Sequence, residues 1–142
     1  MKKKICIIIA DYYPDITKML MSGVLKEIQK HNLKSNLKIL NKPILVPGVF
    51  EIPVTVSKFI KKYDAFIVLG CVIKGETPHF DFISKAVISG LIEISIKNKK
   101  PIGNGIITCL NKKQAIDRAD ISKKNKGKEA ARAVIKTLSN FN

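Results

Sequence analysis

Histidine occurs twice in the 142 residues and cysteine three times, and Arg118 and Arg132 are the only arginines. His31 and His79 are too few to build a typical zinc site by themselves. Cys6, Cys71 and Cys109 make an odd count with no C-x-x-C pair, and Cys6 and Cys109 sit inside apolar runs. Neither a disulfide framework nor a cysteine zinc site is therefore expected. No apolar run approaches the roughly 20 residues of a membrane span. Met1-Lys2-Lys3-Lys4 is followed by only six apolar residues, Ile5 to Ala10. That core is too short for a secretory leader, and the chain reads as a mature cytoplasmic protein. Gly-x-Gly-x-x-Gly does not follow this first run, where Asp11-Tyr12-Tyr13-Pro14 stands, and no Walker loop or Ser/Thr/Gly-rich flavin loop occurs. A dinucleotide or flavodoxin-type cofactor is disfavoured.

What is present is apolar and basic. Hydrophobic residues make up 46%, which excludes a disordered or fibrous chain. The length suits one domain over residues 1–142, able to bury about two-thirds of its unfolded surface. Lys and Arg number 26 against 11 Asp and Glu, a formal charge of +15. Such a charge suits polyanions, but the bidentate grip on phosphates and guanines belongs mostly to arginine. Here all but two of the basic residues are lysines, spread along the chain without interleaved aromatics. They read as a solvated surface, so a nucleic-acid partner is not expected.

Strand and helix patterns alternate four times. Lys4–Ala10, Leu37–Val46, Ala65–Ile73 and Ile102–Leu110 read as strands, the last interrupted early by Gly103 and Gly105. Helical periodicity covers Asp15–Lys30, Val54–Lys62, Pro78–Lys97, Lys112–Ala119 and Gly127–Ser139. Near-continuous apolar strands between helices imply a parallel sheet covered on both faces. Ligands of such sheets bind at the strands' carboxyl ends.

The segment after the third strand, Ile73-Lys74-Gly75-Glu76-Thr77-Pro78-His79-Phe80-Asp81, is the richest in chemistry. Thr77-Pro78 reads as the N-cap and first residue of the long helix. Gly75 permits close approach of a ligand to the backbone, and the helix terminus attracts anions. His79 in that first turn can move protons near neutral pH. Each residue also has a plainer reading: Thr77 as a cap, His79 as a surface side chain. Glu51, between Pro47 and Pro53, can accept hydrogen bonds from a substrate or simply favour a helix N-terminus. Tyr12 and Tyr13 can stack on a flat heterocycle or pack half-buried.

Three stretches carry a resemblance. Val46-Pro47-Gly48-Val49-Phe50-Glu51-Ile52-Pro53, Gly70-Cys71-Val72-Ile73-Lys74-Gly75-Glu76-Thr77-Pro78-His79-Phe80-Asp81 and Asn125-Lys126-Gly127-x-Glu129-Ala130-Ala131 are similar to the hallmark motifs of the lumazine synthases. They occur in the family's order, and the likeness spans essentially the whole chain. It implies a flavodoxin-like three-layer α/β/α sandwich with a four-stranded parallel sheet. It implies a cofactor-independent transferase of riboflavin biosynthesis acting at the penultimate step. There 5-amino-6-(D-ribitylamino)uracil condenses with 3,4-dihydroxy-2-butanone 4-phosphate to give 6,7-dimethyl-8-ribityllumazine, phosphate and water. It also implies a homopentamer with sites between subunits and no metal.

Carried onto this chain, the resemblance makes His79 the proton shuttle and Arg118 the phosphate partner, the two catalytic candidates. Tyr12 would stack on the pyrimidine, and Phe50 and Glu51, beside Val49, would meet the ribityl chain. Val72 and Ile73, after Cys71, would offer backbone groups, and Gly75, Glu76 and Thr77 would hold the phosphate. Asn104, Arg118 and Lys126 would come from the neighbouring subunit. Asp11, Tyr12 and Asn104 depart from the family's usual residues. The stretch Ala119-Asp120-Ile121-Ser122-Lys123-Lys124 has no glycine, unlike members that close into sixty-subunit shells, so a free pentamer is expected. A non-catalytic flavin or lumazine binder on the same scaffold, or a basic nucleic-acid-binding protein, stays open at this level. His79 together with Arg118 favours the enzyme, since a binder needs no proton shuttle.

Overall fold

The computed structural model describes residues 3–32, 37–39 and 42–141. β1 (Lys3–Ala10) is the central strand. Its side chains alternate between two cores: Ile5, Ile7 and Ile9 enter one, Cys6, Ile8 and Ala10 the other. A strand buried on both faces has to be apolar at every position, which is why its sequence shows no alternation. Each isoleucine fully buried here contributes about 1.5–3 kcal/mol over leaving it exposed.

α1 (Pro14–Asn32) follows, then β2 (Leu37–Ile39) and β3 (Ile44–Val46). The second strand expected over 37–46 is thus two short strands laid end to end along β1. Lys3 faces Leu37 but Ile8 faces Ile44, so five steps along β1 match seven along its partner. The two additional residues, together with Pro43, which has no N–H to donate, interrupt the ladder. Leu40 and Asn41 of that expected strand lie outside the described residues. A 3₁₀ turn (Val49–Glu51) leads into α2 (Ile52–Phe59), earlier than the expected Val54–Lys62 because Pro53 can occupy the first helical turn. β4 (Ala65–Ile73), α3 (His79–Asn98), β5 (Ile102–Cys109), α4 (Lys112–Ala119) and α5 (Lys126–Ser139) complete the order.

Five strands therefore occupy four lanes, β2/β3–β1–β4–β5, all parallel. From β1 the chain moves outward to β2. From β3 it crosses back over β1 to β4, and then on to β5. Keeping one crossover hand while reversing direction puts the connecting helices on opposite faces. Accordingly α1, joined later by α4 and α5, packs on the face of Ile5, Ile7 and Ile9, and α2 and α3 cover the other. The sheet with its two helical layers is the three-layer α/β sandwich expected.

Gly103 and Gly105, which by sequence should interrupt the fourth strand, lie within an unbroken β5. Their role is spatial. A Cβ at Gly103 would run into the Ala130 carbonyl oxygen, because the α5 backbone rides directly on the strand. Gly127 does the same between helices, where a Cβ would meet the Leu20 carbonyl oxygen of α1. Between α1 and α5 one carboxylate is buried: Glu27, 3% exposed, is met by Arg132 Nε at 3.2 Å and His31 Nε2 at 3.6 Å.

Candidate active site

The reversal of direction lies between β1 and β4, and their carboxyl ends separate there. β4 pairs with β1 only as far as Leu69, yet continues alongside β5 to Ile73. A crevice beyond the strand ends at such a switch point is the usual ligand site of an open parallel sheet. Backbone hydrogen bonds gather its loops: Asp11 N donates to Val46 O at 2.9 Å, and Lys74 N to Cys109 O at 2.9 Å. Gly70 lets Val49 press onto β4, since a Cβ there would stand 2.7 Å from Val49 Cγ1. Val49 and Cys71 are buried on opposite faces of the sheet, and Val72 and Ile73 at the end of β4 are half-buried. Tyr12 and Phe50 are exposed, and Tyr12 stands edge-on to Tyr13 at 4.9 Å between ring centroids. Burial pushes the Tyr13 hydroxyl above its ordinary pKa. Glu51 caps the start of α2, its carboxylate folded back over Gly48. With Phe50, Val54, Ala86 and Gly90 it lines a groove of about 390 Å³ between α2 and α3.

The start of α3 supplies the second component. The N-cap is Pro78, not Thr77 as the pattern suggested, and helical geometry begins at His79. The Thr77 hydroxyl instead accepts from the His79 N–H at 3.4 Å, a local turn that places the threonine one position outside the helix. Among the described residues the backbone N–H groups of Gly75, Glu76, Thr77 and Phe80 donate to no protein acceptor. Open donors at the positive end of a 20-residue helix suit an anion. Among the described residues nothing beyond its chain neighbours lies within 4 Å of where a Cβ of Gly75 would stand. Gly75, Glu76, Thr77 and His79 are all exposed.

Arg118 sits in the last turn of α4 but reaches back to the end of β5. Its Nη1 donates to Thr108 O and to Cys109 Sγ, the latter at 3.6 Å. Nε and Nη2 have no acceptor among the described residues, which leaves one edge of the guanidinium open to a bidentate anion. Beside it, burial first and the neighbouring Cys109 second push the Cys71 thiol up to about 12. Cys71 is therefore a neutral thiol at working pH. Between the same loops Lys112 Nζ and Asp15 Oδ2 meet at 2.8 Å, and that hydrogen bond holds the Asp15 carboxyl below the ordinary range.

The remaining two candidates lie elsewhere on this chain. Asn104 is exposed in the middle of the edge strand β5, opposite Val68, its Oδ1 accepting from Ile106 N at 3.0 Å. Lys126 opens α5 beside α1 and pairs with Glu129 at 2.8 Å. Among the described residues no three His, Cys, Asp or Glu side chains gather as metal ligands.

A family model for 6,7-dimethyl-8-ribityllumazine synthase aligns with residues 2–142. The chain belongs to that family. The 6,7-dimethyl-8-ribityllumazine synthase of Buchnera aphidicola subsp. Baizongia pistaciae is 45% identical over 146 residues, covering 99% of this chain and 89% of that protein. That of Cytophaga hutchinsonii is 42% identical over 136 residues, covering 94% and 83%. That of Corynebacterium kroppenstedtii is 39% identical over 136 residues, covering 94% and 82%.

Sequence reading missed the acceptors of Arg118, because Thr108 and Cys109 become its neighbours only when α4 folds back along β5. It missed the Asp15–Lys112 pair for the same reason. The Lys126–Glu129 pair was within reach, since residues three apart share a helix face.

Proposed function

We propose how this chain carries out the reaction of its family, the condensation of 5-amino-6-(D-ribitylamino)uracil with 3,4-dihydroxy-2-butanone 4-phosphate to 6,7-dimethyl-8-ribityllumazine, phosphate and two waters. One observation carries the reading: an α3 terminus with open N–H donors, and His79 in its first turn, at the switch-point edge of the sheet. The phosphate rests on the backbone of Gly75, Glu76 and Thr77. Tyr12 stacks on the pyrimidine ring, Phe50 and Glu51 meet the ribityl chain, and the half-buried Val72 and Ile73 offer backbone groups to the ring. The pyrimidine amine attacks the ketone, and His79 relays the protons that imine formation, phosphate departure and ring closure require. The open edge of Arg118 stabilises the phosphate as it is held and as it leaves.

Arg118, Asn104 and Lys126 reach the site from an adjacent copy in a homopentamer. The surface of α3 supports such assembly. Phe82 and Ile96 are 69% and 71% exposed, Ile92 and the α2 residue Val54 are exposed as well, and the α2–α3 groove is open beside them. A helix apolar on faces both toward and away from its own core calls for a second partner. A cytoplasmic location fits three free, buried cysteines, and no helix among the described residues is long and apolar enough to cross a membrane.

Mixing purified protein with both substrates and following lumazine fluorescence tests the reading. The expected result is a rate proportional to enzyme above the spontaneous condensation. Binding of the pyrimidine without turnover would instead mark a non-catalytic binder.

A further inference from the structure

We infer that Cys109 is a positioning residue for Arg118, setting affinity for the phosphorylated substrate through the guanidinium it holds. The inference rests on the reading above that Arg118 is the phosphate partner. An arginine at the end of an eight-residue helix has many rotamers, and ordering it on binding weakens affinity. Here the ordering is done in folding. Nη1 is tied at the carboxyl end of β5 to Thr108 O and Cys109 Sγ, so Nε and Nη2 present a fixed fork.

The backbone acceptor alone leaves the guanidinium free to swing about one bond, and a second acceptor on the next residue fixes its plane. Cys109 suits this task. It is 1% exposed and cannot rearrange, with Cys71, Ala115 and Ala119 in the same cluster. Both cysteines point to the α1/α4 face of the sheet, two residues apart in register on adjacent strands.

The test compares Cys109→Ala and Cys109→Ser with Arg118→Ala. KM for the phosphorylated ketone, KM for the pyrimidine, kcat and thermal stability are measured for each. A plain packing role makes serine the more damaging replacement, because a hydroxyl buried among apolar groups is unfavourable and alanine is not. The positioning role reverses that order in one parameter. Cys109→Ala should raise KM for the phosphorylated ketone about three- to tenfold, the worth of one modest hydrogen bond. Cys109→Ser, which keeps an acceptor, should recover most of that loss although its Tm is no higher than the alanine variant's. KM for the pyrimidine should hold in both. Equal KM values for the two cysteine variants, or a KM order that follows stability, overturn the inference while Arg118→Ala remains defective. An Arg118→Ala enzyme with unchanged kcat/KM overturns the phosphate reading itself, and the inference with it.

Discussion

Arg118 and Arg132 are the only guanidinium groups in a lysine-rich chain, and each performs a task a lysine does poorly. Arg132 meets the buried Glu27 through Nε, and Arg118 divides its nitrogens between the end of β5 and an open edge. A planar fork can do both at once; a point charge on a flexible stem cannot. This division ranks two substitutions. With His79 as the proposed proton relay, His79→Ala would remove a general acid–base, typically worth roughly 10²–10⁴-fold. Water can carry part of that traffic between two reactive substrates, so the loss should fall at or below the lower end. With Arg118 as the proposed phosphate partner, Arg118→Ala would remove two charge-assisted hydrogen bonds to a dianion, about 3–6 kcal/mol before the α3 terminus compensates. Its kcat/KM for the phosphorylated ketone should therefore fall further than that of His79→Ala, with pyrimidine affinity nearly unchanged. Steady-state kinetics of both variants decide it, and a near wild-type Arg118→Ala would move the anion site to Thr77 or Lys74.

Among the elements, two glycines separate folding from binding. Gly127 lies where α5 crosses α1, and a methyl group there would run into the Leu20 carbonyl. Gly127→Ala must push two helices apart, a loss of about 1–3 kcal/mol. In thermal unfolding this appears as a fall in Tm of roughly 3–12 °C. Gly75 faces open space near the start of the β4–α3 loop, and nothing among the described residues excludes a side chain there. Gly75→Ala should therefore leave Tm unchanged while raising KM for the phosphorylated ketone several-fold, because the methyl would stand between the anion and the backbone donors. An unaltered KM would show that the phosphate does not sit on this loop. A stable Gly127→Ala would mean that α1 and α5 can separate without cost.

At the scale of the molecule, charge and apolar surface act against each other. Exposed Phe82, Ile92 and Ile96 favour association through α3, while +15 per chain opposes crowding many copies together. Five copies around one axis, as proposed, would bury the apolar face. Sixty would gather a very large positive charge, and the α4–α5 turn at Asp120–Lys124 carries three lysine-or-serine positions and no glycine. The expected particle is a pentamer of five 15.8 kDa chains, about 79 kDa. Light scattering on the purified protein checks it, and a mass near that of a sixty-subunit shell refutes it.

Local chemistry was legible in the residues themselves. A nine-residue apolar run such as Ala65–Ile73, rich in β-branched residues, reads as a strand buried on both faces, and Lys112–Ala119 carries its own cap at Asn111, so both elements have the expected bounds. The motif around His79 likewise pointed to the open backbone donors at the start of α3, because a proline near a helix start and a glycine before it act through neighbouring backbone. What only the tertiary structure decided depends on distant segments meeting. The split of the second strand follows from register against β1, and the continuity of β5 through Gly103 and Gly105 from the approach of α5. The anchoring of Arg118 on Thr108 and Cys109 follows from α4 folding back along the strand that precedes it. Periodicity records which face of an element is apolar, but not which backbone will lie against it. That second quantity is set by packing across the sheet, and it is what turns a lone arginine into an aimed one.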